Sequence, residues 1–219
     1  DWSAISAFYD PSTNTIAQTV ADYITDPSWR LGKELVSQPI HVIGHSRGGS
    51  LIAALAEKLG NKGIVVEQTS FIDSFPFVDD YGYSSIPITV PQNVLFSDNY
   101  YRSWAFLSRT VQGSKEIDIK WESKVGGYVD SGFFITEHSN PHLWYYGTID
   151  TQDSITNGDI VNFNPDEESW YYYHDRETSG YFLRRTPRKN LPPEGINATF
   201  DFFNGSGQRK SISSTHEWD

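Results

Sequence analysis

A serine hydroxyl becomes a nucleophile when the backbone presents it at an apex, a base takes its proton and a carboxylate orients that base. Ser46 is the serine of this chain whose surroundings fit that need. It lies in His41-Val42-Ile43-Gly44-His45-Ser46-Arg47-Gly48-Gly49-Ser50, which contains a G-x-S-x-G pattern. Apolar residues lead into the pattern, and residues 51–59 (Leu-Ile-Ala-Ala-Leu-Ala-Glu-Lys-Leu) follow with helix-forming composition. This strand–turn–helix context is what the pattern requires, because the strand must turn sharply into the helix with the serine at the apex. Small flanking residues keep neighbouring backbone from colliding with the turn. The serine then sits at a helix N-terminus, where N–H groups favour developing negative charge. The plainer alternative is a glycine-rich turn with an incidental serine.

The base must be a histidine, and six are available: His41, His45, His138, His142, His174 and His216. In one widespread arrangement of such sites the chain order is serine, acid, histidine. That order disfavours His41 and His45, and the His45 side chain is expected to point away from the apex. His138 lies in a polar stretch, Glu137-His138-Ser139-Asn140, where capping a helix is its natural job. His174 and His216 have no local motif. Two acids compete: Asp73 ends a strongly apolar run, as a carboxylate at the rim of a sheet should, and Asp98 follows one strand later. Of the two N–H groups an oxyanion hole needs, one is expected from Arg47, directly after the nucleophile. The other is expected from a loop upstream of Asp1.

These groups need a scaffold. Residues 14–25 carry apolar side chains at helical spacing, with Pro27 beyond as a stop signal. A buried strand over 40–44 leads to the serine turn and a helix over 47–59. Gly60-Asn61-Lys62-Gly63 closes that helix with residues that tolerate left-handed backbone. Strands are predicted from Val65 to Ile72 and over Asn93-Val94-Leu95-Phe96, ending near Asp98. Residues 74–92 read as a loop. Residues 116–135 are β-like with a turn at Gly126-Gly127, and 139–149 are helical with Pro141 in the first turn. Alternation of strands and helices predicts an α/β fold, a mostly parallel sheet with helices on both faces. Residues 1–150 form the expected catalytic core, and 151–219 a C-terminal extension packed on it.

The stretch from His41 to Phe77, closing with Phe71-Ile72-Asp73-Ser74-Phe75-Pro76, resembles the lipase branch of the α/β-hydrolases, in particular the pancreatic-lipase-like group. Those enzymes carry a G-H-S-x-G turn, a helix, and a strand ending in a Leu-Asp-Pro-type triplet whose aspartate is catalytic. Ile72-Asp73-Ser74 corresponds to that triplet. Their histidine opens a segment with leucine next and aromatics soon after, and His142-Leu143-Trp144-Tyr145-Tyr146 is similar to it. The resemblance therefore implies Ser46, Asp73 and His142 as catalytic residues. The commoner α/β-hydrolase layout would select Asp98 as the acid. Ser74 stands where proline is usual and Arg47 where leucine is common, and the bracing cysteines of secreted animal lipases are missing. A divergent relative is implied, one that hydrolyses a carboxylic ester through an acyl-enzyme on Ser46. Thioesterase or acyltransferase chemistry on the same triad, or a binding protein on an inactive hydrolase fold, are the alternatives.

Composition sets outer bounds. The 219 residues carry a net charge of −11, which argues against nucleic acid or an anionic membrane surface as the main partner. No run is long enough to predict a stable membrane insertion. Zero cysteines exclude disulfides and thiolate chemistry within this sequence. No metal or other cofactor is expected, and the substrate is a small-molecule or lipid ester. The 13 Tyr, 13 Phe and 7 Trp suit either an aromatic core or an apolar substrate groove. A soluble, secreted or extracytoplasmic protein is expected. With no methionine and with Asp1-Trp2 resembling a strand end, the sheet is expected to be completed by a preceding segment, attached or cleaved and retained, or by a partner chain.

Overall fold

A computed structural model of the chain describes residues 13–26, 28, 35–75, 88–101, 110–119, 138, 141, 142 and 145, and the backbone of 200–201 and 206–207. The expectations for the opening strand end, the Gly126-Gly127 turn and the boundary near residue 150 lie outside these residues. Among them the chain runs α1 (Thr13–Ile24), β1 (His41–His45), α2 (Arg47–Asn61), β2 (Gln68–Ile72), β3 (Ser97–Tyr101), β4 (Lys115–Asp118), β5 (Phe200–Asp201) and β6 (Ser206–Gly207).

The first four strands form one parallel sheet in the order β1-β2-β3-β4, and β5 and β6 pair antiparallel by themselves. Parallel neighbours need a crossover between them, and α2 provides the one from β1 to β2. This is an α/β arrangement. β1 has β2 as its one neighbour among the described residues, and Ile43 on it is 41% exposed.

Side chains alternate along a strand, so the sheet has two distinct faces. On one face Val42 and Phe71 meet α1 and α2, whose Ala21, Ile52, Ala56 and Leu59 are buried against them. Removing Phe71 from water stabilises the fold by roughly 1.5–3 kcal/mol. The helix layer is compact because alanines line it: Ala17, Ala21 and Ala56 are fully buried. The other face carries His41, Gln68, Ser70, Asp98 and Tyr100. Helical residues lie over it, with Tyr145 reaching Ser70 by its hydroxyl and Tyr100 by its ring, centroids 5.2 Å apart.

Element boundaries follow local chemistry. The end of α2 is a Schellman closure, with the Ile64 N–H donating to Leu59 O (2.9 Å) and the Gly63 N–H to Gly60 O (2.8 Å). Gly63 has φ 81°, which glycine adopts without a Cβ penalty. The Asn93 amide donates to the carbonyls of Ala56 and Ile64, both at 2.9 Å. Residues 93–96 reach the sheet only through an isolated parallel bridge, Val94 to Val66, with the Leu95 N–H donating to Val66 O at 2.9 Å. The regular strand expected over 93–96 begins instead at Ser97 and runs to Tyr101.

Candidate active site

β1 delivers Ser46 to the C-terminal end of the sheet. Its backbone there is unusual for a residue with a side chain, φ 56° and ψ −125°. Such a conformation costs on the order of 1–3 kcal/mol and persists only where the surroundings enforce it. Here the Ser46 N–H donates to Ile72 O at 3.0 Å, and Ser46 O accepts from the N–H groups of Gly49 (3.0 Å) and Phe75 (3.1 Å). Both strand ends thus hold the turn. Although Ser46 occupies the N-cap of α2, its hydroxyl makes no capping hydrogen bond. The hydroxyl is not spent on the helix.

Two glycines make the turn possible. A Cβ on Gly44 would stand 2.3 Å from Gly48 O, and one on Gly49 would stand 2.1 Å from the Ser74 hydroxyl. Gly48 has no heavy atom within 4 Å of a Cβ position. The second glycine of the G-x-S-x-G pattern is therefore not the tight one; its successor is, because there the helix crosses the end of β2. Arg47 opens α2 directly after the serine, the position from which a first-turn N–H reaches an oxygen bonded to Ser46.

Asp73 follows the last residue of β2, fully buried and with a positive φ of 42°. Its N–H donates to Tyr100 O at 2.7 Å, fixing the carboxylate at the rim. The Oδ2 atom lies 2.6 Å from His138 Nδ1. A carboxylate oxygen accepts, so Nδ1 carries the proton and Nε2 is the lone-pair nitrogen of the neutral ring. Asp73 Oδ1 is buried with no hydrogen-bond partner among the described residues.

The histidine on Asp73 is thus His138 and not His142, the residue the resemblance implied. His138, Pro141, His142 and Tyr145 are all helical and spaced as i, i+3, i+4 and i+7, which is one helix face. Both histidines consequently turn toward the sheet, one turn apart. His142 Nδ1 is buried without a hydrogen-bond partner among the described residues, and burial first, then the charge of His138, holds the His142 pKa below its ordinary value. His138, expected in a polar stretch, is helical and belongs to the face that docks on the sheet.

Asp98, the competing acid, lies within β3 rather than at its end. Its Oδ1 accepts from the Ser70 hydroxyl and its Oδ2 from the Tyr100 hydroxyl, both at 2.6 Å. Ser70 is in turn 2.8 Å from His41 Nε2 and accepts from Tyr145 at 3.1 Å. This second cluster sits about 10 Å below the rim, counting from Ser70 to Asp73 along β2. No group of three or more His, Cys, Asp or Glu among the described residues is arranged to hold a metal ion.

The remaining histidine, His45, was expected to point away from the site. Its Nε2 lies 2.9 Å from the backbone carbonyl of His138, and its ring packs tilted against those of His138 (centroids 4.8 Å apart) and His142 (4.7 Å). Its place immediately before the serine was the one sequence signal; which way it pointed depended on the parity of β1. Comparison with family profiles, with curated proteins and with solved structures yields no match.

Proposed function

We propose that this protein is a serine hydrolase of the α/β-hydrolase type that cleaves carboxylic esters, with Ser46 as nucleophile, His138 as base and Asp73 as the acid that orients it. The observation that carries the reading is the 2.6 Å Asp73–His138 pair beside a serine held at positive φ. The pair sets the His138 tautomer, so Nε2 accepts the Ser46 proton as Oγ attacks the acyl carbon. The same proton then goes to the departing alcohol. Water, deprotonated by Nε2, hydrolyses the acyl-enzyme and restores the serine. An oxygen that becomes negative in both steps is met by the Arg47 N–H at the positive end of α2. Thioesters present the same acyl carbon, and the triad itself does not distinguish them.

The exposed edge of β1 supports the view that further strands, from residues outside those described or from another chain, complete the sheet beside it. Among the described residues no helix is long and apolar enough to cross a membrane. Hydrolysis of nitrophenyl esters of increasing chain length, beside an insoluble triglyceride emulsion, tests the reading and grades the substrate. Turnover by the natural protein and none by Ser46→Ala is expected. Equal turnover by both would overturn the assignment.

A further inference from the structure

We propose that His45 is a positioning residue, which clamps the base to the serine turn through an Nε2–H···O=C hydrogen bond to His138. This rests on the reading of Ser46, His138 and Asp73 given above and adds a fourth side chain to it. A carbonyl oxygen can only accept, so the 2.9 Å contact requires the proton on His45 Nε2. Burial pushes the His45 pKa down to about 4, so the ring donates as a neutral imidazole near pH 7.

The geometry explains why this contact matters. Asp73 grips the His138 ring at Nδ1, which leaves the ring able to swing with its own backbone unless that backbone is held. His45 holds it at the carbonyl, and His45 is covalently next to Ser46. The nucleophile and the base are thereby tied by one side chain and one peptide unit. A neutral donor is needed there, since the rings of His138 and His142 both lie close to the His45 ring, at 4.8 and 4.7 Å between centroids. A cation at His45 would oppose the imidazolium that His138 becomes during proton transfer.

The test uses two variants and the natural protein. His45→Phe keeps an aromatic ring against His138 and His142 and removes the donor. His45→Gln restores an N–H near the Nε2 position without the ring. For a soluble nitrophenyl ester, His45→Phe is expected to lower kcat about 10- to 100-fold with KM within about twofold, the signature of a displaced base. His45→Gln is expected to recover most of that loss. A His45→Phe variant with natural kcat, or a His45→Gln variant no better than His45→Phe, would overturn the proposal.

A second readout is independent of activity: the ring-nitrogen NMR shifts of His45 in the natural protein at pH 7. A protonated Nε2 and a bare Nδ1 are expected, and a bare Nε2 would overturn the clamp whether or not His45→Phe folds. Ester turnover by the natural protein separates the two claims. No turnover with the Nε2–H tautomer present defeats the hydrolase reading and leaves the clamp. Turnover with a bare Nε2 does the reverse.

Discussion

The sheet carries two constellations of serine, histidine and aspartate on neighbouring positions, and they are built to opposite ends. Ser70 and Asp98 lie within their strands and His41 opens β1; Ser70 and Asp98 are fully buried, and the serine proton is committed to Asp98 at 2.6 Å. Ser46 and Asp73 lie just past strand ends, both at positive φ, and the helical His138 meets Asp73 there. There the serine makes no cap bond, and one carboxylate oxygen has no partner among the described residues. Satisfied polar groups in mid-sheet stabilise. Strained and incompletely paired groups at the rim are what chemistry requires. Residue type is common to both sets; position along the strand separates them.

Paired substitutions break this contrast open. Ser46→Ala and His138→Ala are each expected to lower kcat for a soluble ester by about 10⁵- to 10⁶-fold with unchanged circular dichroism. Ser70→Ala should leave kcat within about tenfold and instead cost roughly 1–3 kcal/mol of stability, because Asp98 and Tyr145 lose a buried partner. His142→Ala should also stay within about tenfold in kcat. A greater loss from His142→Ala than from His138→Ala would return the base to the position the resemblance implied.

Asp73→Asn is expected to lower kcat about 10⁴-fold, since an amide cannot hold the imidazole tautomer. Asp98→Asn should show its effect in thermal denaturation rather than in rate, as Ser70 and Tyr100 then donate to a weaker acceptor. A reversal of the two rate effects would make the deeper set the functional one.

A pH dependence sharpens the role of burial. His45 in the folded protein resists protonation down to about pH 4, against an ordinary value of 6.5. Between those values the unfolded chain binds more protons, so stability falls as pH drops through that window. His45 alone should contribute a loss of roughly 3 kcal/mol. His142 shifts in the same direction through burial. Urea denaturation at pH 7 and pH 4.5 should therefore show a smaller pH-dependent loss in His45→Gln than in the natural protein, and equal losses would contradict this account of the ring.

Much of the scaffold was legible because it rests on local signals. The helix over 14–25, the strand before Ser46 and the helix after it were set by apolar period and small residues, and they stand at Thr13–Ile24, His41–His45 and Arg47–Asn61. β3 was misplaced because Ser97, Asp98 and Asn99 do not look like strand interior. Their partners come from other strands: Thr69 to Ser97 at 2.8 Å and Asn99 to Glu116 at 2.7 Å. Which of His138 and His142 meets Asp73 was not legible for a related reason. Two residues one helical turn apart share a face, and which of them meets Asp73 depends on how the helix is seated on the sheet. Seating is a tertiary quantity, set in part by Tyr145 on Ser70.

The central claim, that Ser46 alone among these serines is activated, is tested most directly by peptide mapping after reaction with a fluorophosphonate at neutral pH. One adduct is expected, on the peptide carrying Ser46, formed slowly or not at all in Asp73→Asn and at the natural rate in Asp98→Asn. An unlabelled Ser46, or an adduct on Ser70, would contradict it.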